Sequence, residues 1–378
     1  MNKLDQPSQK PKKILFGVCG IGSGHTNRQL PLIEHFARSQ IMMIFAYGES
    51  YKFYSQKFKD NSTVSVTQVA VPFYIGEDDG LGFNASLKRP ENQGRDFFTV
   101  NCQAMAQAKA LIGRPDLVVS DYEPVCAQYA YAYNSPLITF DQQSKYLIGK
   151  FPGFDGLSYN DEIMRLRMFF PKVHTRIACS FFKVEPKDEL EERVIIYPPV
   201  IKDKIALLER KPGLQPSILV YISSQQEFAQ SQEEIAGICG RQREAIFHVF
   251  SPTGDNGISD QYPNVFIYKH GDSRFTNILS ECTGIISTAG HTLLSEAMYL
   301  GIPVYAMPFR LFEQQMNAYI IDHYGFGVSH HCLDQSILAG FVENIPKFRN
   351  AIKNDNKILM RGIGQQAIIE FLENEFLS

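Results

Sequence analysis

The sequence predicts an α/β protein built from two Rossmann-like domains that face each other across a cleft. Three observations predict it. Short apolar runs alternate with amphipathic segments, the pattern of βαβ units on a parallel sheet. The alternation stops at a proline-rich stretch ending at Pro216 and then restarts. The chain has 378 residues, too many for one ordinary core and suited to two.

The elements follow in order. Residues 1–13 are polar, contain Pro7 and Pro11, and read as a flexible tail with no apolar secretory segment. The first domain is expected over 14–198. Ile14 to Cys19, Ile41 to Tyr47, Val64 to Val71, Leu117 to Ser120 and Leu137 to Phe140 read as strands. Asn27 to Arg38, Phe97 to Ile112 and Val125 to Tyr133 read as helices, and Gly76 to Gly94 as a polar loop. Residues 199–216, with Pro199, Pro212, Gly213 and Pro216, are the expected linker. The second domain is expected over 217–360. Its strands are Ile218 to Ile222, Ala245 to Phe250, Val265 to Tyr268, Gly284 to Ser287 and Pro303 to Met307. Its helices are Glu227 to Cys239, Phe275 to Cys282, His291 to Leu300 and Phe312 to Tyr324. Residues 361–378 form a C-terminal helix.

Composition narrows the function classes. Hydrophobic residues make up 44% and charged residues 20%, with a formal net charge of -3. That balance lacks the basic field of a nucleic-acid binder. No run reaches the roughly 18 to 20 apolar residues that span a bilayer. The seven scattered cysteines contain no CxxC, which argues against a zinc site or a disulfide framework and for buried thiols in a reducing cytoplasm.

Two segments carry chemistry. The first is Gly20-Ile21-Gly22-Ser23-Gly24-His25-Thr26-Asn27-Arg28, at the end of strand one. Glycines there allow a tight turn and a close approach to a ligand. His25 would sit at a helix N-terminus, which disfavours a second positive charge and so predicts a neutral imidazole able to take a proton. His25 stands where a dinucleotide fingerprint has its third glycine, so that fingerprint is not met. The second segment runs Ser287-Thr288-Ala289-Gly290-His291-Thr292-Leu293-Leu294-Ser295-Glu296 and ends at Glu313-Gln314-Gln315-Met316-Asn317. A helix starting at His291 would offer free N–H groups to a diphosphate. Glu296, one turn in, can accept hydrogen bonds from both hydroxyls of a ribose, and the amides of Gln314 and Gln315 suit sugar hydroxyls.

Three further features stay open. Asp121, at a strand's C-terminal end, either orients His25, binds an acceptor hydroxyl, or caps the next helix. Asp141 poses the same question after the following strand. Residues 164–183 mix Arg165, Arg167, Lys172, Arg176 and Lys183 with Phe169, Phe170, Phe181 and Phe182. They form either an anionic-lipid surface or a piece of the core with its basic groups in water, and the core reading leads. Asp78-Asp79 in GEDDG invites a metal, though paired acids in polar loops are commonly just solvated.

The stretch STAGHTLLSEAMYLGIPVYAMPFRLFEQQMNAYIIDHYGFG, together with ILFGVCGIGSGHTNRQLPL and PDLVVSDYEPVCAQYA, resembles the GT-B glycosyltransferases. The resemblance is greatest to the group around the lipid-linked N-acetylglucosaminyltransferase of peptidoglycan synthesis. It implies a GT-B fold whose C-terminal helix crosses back to the first domain. It implies a nucleotide-sugar donor, with UDP favoured, and no metal or other cofactor. The acceptor is an unknown hydroxyl, lipid-linked or glycan, reached at the inner face of the membrane or in the cytoplasm. Residue by residue, it places Ala289, Gly290, His291 and Thr292 on the donor diphosphate, Glu296 on the ribose, and Gln314, Gln315 and Asn317 on the donor sugar. Gly22, Ser23, Gly24 and His25 form the acceptor-side loop. Apart from the resemblance, the residues themselves name His25 as the catalytic base and Asp121 as its candidate partner. Ala289 departs from the glycine pair of many relatives, and His291 stands where they often carry another residue. Two alternatives remain. GxGHxxR, here Gly22 to Arg28, also resembles a UDP-sugar hydrolase of pseudaminic acid synthesis, in which water is the acceptor. A non-catalytic nucleotide-sugar-binding protein would keep the same fold.

Overall fold

The computed structural model describes residues 10–77, 80–188, 192–222 and 230–378. Two parallel sheets organise it. The first contains β1 (Lys13–Val18), β2 (Ile41–Ala46), β3 (Val64–Gln68), β4 (Leu117–Asp121), β5 (Leu137–Asp141), β6 (Thr175–Cys179) and β7 (Val194–Tyr197). Their spatial order is β7-β6-β5-β4-β1-β2-β3. The second contains β8 (Ser217–Tyr221), β9 (Ile246–Ser251), β10 (Val265–Lys269), β11 (Gly284–Ser287), β12 (Val304–Ala306) and β13 (Gly327–Ser329), ordered β10-β9-β8-β11-β12-β13. Each sheet begins at a central strand, winds outward one way, then returns and winds the other way. The reversal lies between β1 and β4 in the first sheet and between β8 and β11 in the second. Doubly wound sheets bind ligands at the carboxyl ends of the strands flanking that switch point. In the first unit the sequence places candidates after strands one and four, and the topology puts those two strands side by side.

The strands read as apolar because both faces are covered. Ile14, Leu15, Phe16 and Val18 of β1 are all fully buried, as are Leu117, Val118 and Val119 of β4, which pair in register with them. Five helices matter below: α1 (Ser23–Phe36), α2 (Asn160–Phe169), α3 (His291–Leu300), α4 (Phe312–His323) and α5 (Gly364–Leu372). The last crosses back to the first sheet. Its Ile368, Ile369 and Leu372 share a core with Ile14, Phe16 and Ile44. Gln365 fastens it to the segment between the sheets, donating to Ile201 O at 2.5 Å and accepting from Ile201 N at 3.1 Å.

Four local expectations are corrected. Helix α1 starts at Ser23, not Asn27, so the glycine loop is its first turn; Gly22 precedes it at φ 66. Gly20 is required by space, since a Cβ there would stand 1.8 Å from Tyr47 O. The loop over 76–94 contains a small hairpin, Ile75–Glu77 with Gly80–Gly82, and a helical turn at Phe83–Leu87. The region between Phe140 and the linker, for which no strand is expected, supplies β6 and β7, which extend the first sheet. Helix Gln232–Arg241 begins behind a Ser231/Glu234 capping box, and residues 227–229 of the expected helix lie outside the described ones. Among the described residues, no helix is long and apolar enough to cross a membrane.

The basic, aromatic stretch is core. Phe169, Phe170, Phe181 and Phe182 are buried. Arg176 pairs with Glu192 at 2.6 Å and donates to Phe170 O, while Arg165 pairs with Glu162 at 2.8 Å. The four phenylalanines therefore belong to the core, while Arg167, Lys172 and Lys183 are exposed. The cysteines remain free thiols: five are buried, Cys332 is half-buried, and Cys102 is exposed against expectation.

Candidate active site

A cavity of about 530 Å³ opens between the carboxyl ends of the two sheets. Its first wall is the start of α1, with Gly22, Ser23, Gly24, His25, Asn27 and Arg28, joined by Gln142 and Gln143 after β5. Its second wall is the start of α3, with Gly290, His291, Thr292 and Glu296, joined by Glu313 and Gln314 of α4. The two helix starts nearly touch: a Cβ built on Gly24 would lie 3.5 Å from Thr292 Oγ1. Two positive helix ends therefore converge on one space, which favours an anion there.

On the first wall, Asp121 closes β4 and is fully buried. Its Oδ1 lies 2.8 Å from His25 Nδ1 and 2.7 Å from Arg28 Nη2; its Oδ2 accepts from Arg28 Nε at 3.0 Å and from Gln29 Nε2 at 3.1 Å. Asp121 is thus hydrogen-bonded to His25, Arg28 and Gln29 and does not cap the next helix. The cap of the next helix is Glu123, which accepts from Val125 N and Cys126 N. In the tautomer that donates from Nδ1 to Oδ1, the lone pair of a neutral imidazole sits on Nε2. Burial opposes charge on the His25 ring, but the neighbouring Cys19 sulfur and the Asp121 carboxylate outweigh it and raise its pKa. The expectation that the helix terminus keeps His25 neutral is thereby corrected. Burial would likewise protonate Asp121, but Arg28 and His25 hold its pKa below the ordinary carboxylate value. Asp141, the other candidate, is spent on a turn, accepting from Ser144 N and Oγ at 2.6 and 2.8 Å.

On the second wall, the loop before α3 holds Ala289 at φ 60, a left-handed conformation for a residue with a Cβ. Asn317 sustains it: buried, it donates from Nδ2 to Ala289 O at 2.9 Å. Asn317 and Ala289 therefore lie behind the cavity wall and are absent from its lining. Gln315 is absent too; its amide donates to Phe309 O at 3.0 Å. Gln314 lines the cavity while its Oε1 accepts from Phe309 N, which leaves Nε2 available. Helix α4 begins at Phe312, so the cavity-facing pair is Glu313 and Gln314, and Glu313 is a lining residue that the spacing argument passed over. The Glu296 carboxyl lines the cavity at 7% exposure. Burial lifts its pKa to about 7, with Lys202 and Lys204 pulling the other way. These two lysines also line the cavity, from the proline-rich segment that composition alone marked as a linker. His291 is buried beside Phe181 and held neutral by burial and by the nearby charges of Lys145 and Arg28.

Asp78 and Asp79 lie outside the described residues. Among the described residues, the one grouping with metal-ligand chemistry is His330, His331 and Cys332, none of which lines the cavity.

Comparison with known proteins shows the family and the fold. The pattern of glycosyl transferase family 1 matches residues 12–346. An uncharacterised glycosyltransferase of Methanosarcina mazei is 24% identical over 382 residues, covering 96% of this chain and 98% of that protein. Among solved structures, LpCGTa in complex with UDP is 13% identical and is matched over 98% of this chain and 100% of that one, at TM-score 0.65. The glycotransferase of kitacinnamycin, 14% identical, is matched over 97% and 100% at TM-score 0.64. Arabidopsis thaliana UGT89C1 complexed with UDP-L-rhamnose, 15% identical, is matched over 91% and 92% at TM-score 0.62. With a GT-B fold of two facing Rossmann-like domains and a family pattern spanning both sheets, this chain belongs to glycosyl transferase family 1 and is a glycosyltransferase.

Proposed function

We propose that the protein transfers a sugar from a nucleoside-diphosphate donor, with UDP the favoured carrier, to an acceptor hydroxyl, with inversion and without a metal. The observation that carries this reading is the pairing of His25 with Asp121 directly across the cavity from the α3 helix start. In it, the donor diphosphate lies on the N–H groups at Gly290, His291 and Thr292, its ribose on Glu296, and its sugar against Glu313 and Gln314. The acceptor hydroxyl gives its proton to His25 Nε2, its oxygen bonds to the anomeric carbon, and the carbon–phosphate oxygen bond breaks with its electron pair going to the diphosphate. One base and one displacement invert the centre. Helix N–H groups aimed at the charge that develops on the diphosphate lower the barrier. UDP in one structural neighbour and UDP-L-rhamnose in another support the choice of carrier.

The kinship to the peptidoglycan-related group, and the division into units 14–198, 217–360 and a terminal helix, belong to the same reading. Both rest on the motifs and on where the sheets begin and end. The test is a thermal-shift panel of nucleotide sugars followed by product analysis. A donor at 100 times its dissociation constant adds about 2.7 kcal/mol of stability. Fast donor consumption without any acceptor would turn the reading to hydrolysis; binding without turnover would turn it to a non-catalytic binder.

A further inference from the structure

Arg28 does more than the dyad requires. It is 5% exposed, and what remains open lies on the cavity it helps to line. Nε and Nη2 are both committed to Asp121, and Nη2 also sits 2.8 Å from His25 Nδ1. Nη1 has no acceptor among the described residues. A two-point clamp on a carboxylate needs one edge of the guanidinium fork; here Nη1 is left over, on a residue that lines the cavity. A guanidinium stays charged and is only weakly hydrated, and its fixed donors match phosphate oxygens. The surroundings favour the same ligand. Gly290 and Thr292 at the start of α3 line the opposite wall, and the start of α1 closes on Thr292.

We propose that Arg28 Nη1 donates to the diphosphate of the donor, so that the first sheet supplies a charged hydrogen bond to the leaving group. This rests on the reading above. Arg28 then joins both ends of the reaction: through Asp121 it holds the base, and through Nη1 it stabilises the negative charge that collects on the diphosphate oxygens as the anomeric bond breaks. It also makes the diphosphate a bridge between the two sheets.

The test is calorimetry of UDP and of uridine on the wild type, Arg28→Lys, Arg28→Ala and His25→Ala. Both Arg28 variants are expected to lose at least about tenfold in UDP affinity while uridine affinity stays within about twofold. Arg28→Lys keeps a cation in the core, so a fold lost in the alanine variant still leaves this arm readable. His25→Ala is expected to keep the ratio of the two affinities. Equal losses for UDP and uridine, or no loss, would overturn the assignment to Arg28 alone. A wild type that binds neither UDP nor GDP, ADP or dTDP would overturn the sugar-transfer reading and this inference with it.

Discussion

His25 is held by opposing pressures, and their balance shows in the pH dependence. A general base works only when neutral. The Cys19 sulfur and the Asp121 carboxylate raise the imidazole pKa above its ordinary 6.5 against the pull of burial. Turnover should therefore fall as pH drops through that raised value, placing the acidic limb above pH 6.5. Asp121→Asn removes one of the raising charges. Its limb should move to lower pH while the plateau rate falls; a pH–rate profile in which the limb stays put would show that Asp121 does not act through His25. Glu296 offers a second test with two signs. Its folded-state pKa, about 7, lies above the ordinary 4.5, so the stability of the protonated form is lost as pH rises through that window. At pH 8 Glu296→Gln should stabilise the ligand-free protein, on the order of 1–3 kcal/mol. The same change should weaken nucleoside-diphosphate binding by about 2 kcal/mol, because charged hydrogen bonds to the ribose are lost. Melting curves and calorimetry on one variant read both. Much of this was legible in the sequence: His25 and Glu296 sit in short motifs whose geometry follows from a strand, a small-residue turn and a helix. The charge state of His25 was not, because Asp121 is 96 residues away and the influence of Cys19 on the ring depends on how the turn folds.

At the scale of elements, the site depends on two turns. Gly20 lets the backbone after β1 pass against Tyr47 O, and any side chain must displace it. Gly20→Ala should destabilise by about 1–3 kcal/mol and disturb the start of α1, which loss of both melting temperature and nucleotide affinity would register. Asn317 plays the matching part for α3 by holding the strained Ala289 loop from behind. The helix boundaries explain what spacing misread. Starting α4 at Phe312 turns Glu313 and Gln314 to the cavity and Gln315 toward Phe309, a rotation that a sequence motif does not encode. Strands β6 and β7 were missed for a related reason. They are short, and β7 is only half-buried, so neither shows a long apolar run.

Across the whole molecule, the two sheets are joined by more than the linker. Lys202 reaches from that segment to Asn27 Oδ1 of α1 at 2.6 Å while facing Glu296 of α3. The aromatic segment after β5 packs on the second unit, with Tyr146, Phe151, Phe154 and Tyr159 around Phe312. Helix α5 closes the circuit by returning to the first core. Leu372→Ala should thus cost about 2–5 kcal/mol although it lies at the far end of the sequence, and a melting temperature equal to wild type would contradict this role for α5. The alternation of strands and helices made the paired sheets legible; the cross-connections were not, since they depend on contacts between residues far apart in sequence. The account as a whole turns on a base from one sheet acting on a donor held by the other. The most direct measurement is nucleoside-diphosphate release by the wild type and His25→Ala, with nucleotide affinity measured on the same preparations. The account predicts a rate lower by about 100- to 10,000-fold with affinity within about threefold. Normal turnover by His25→Ala, or a slow rate explained by lost nucleotide binding, would contradict it.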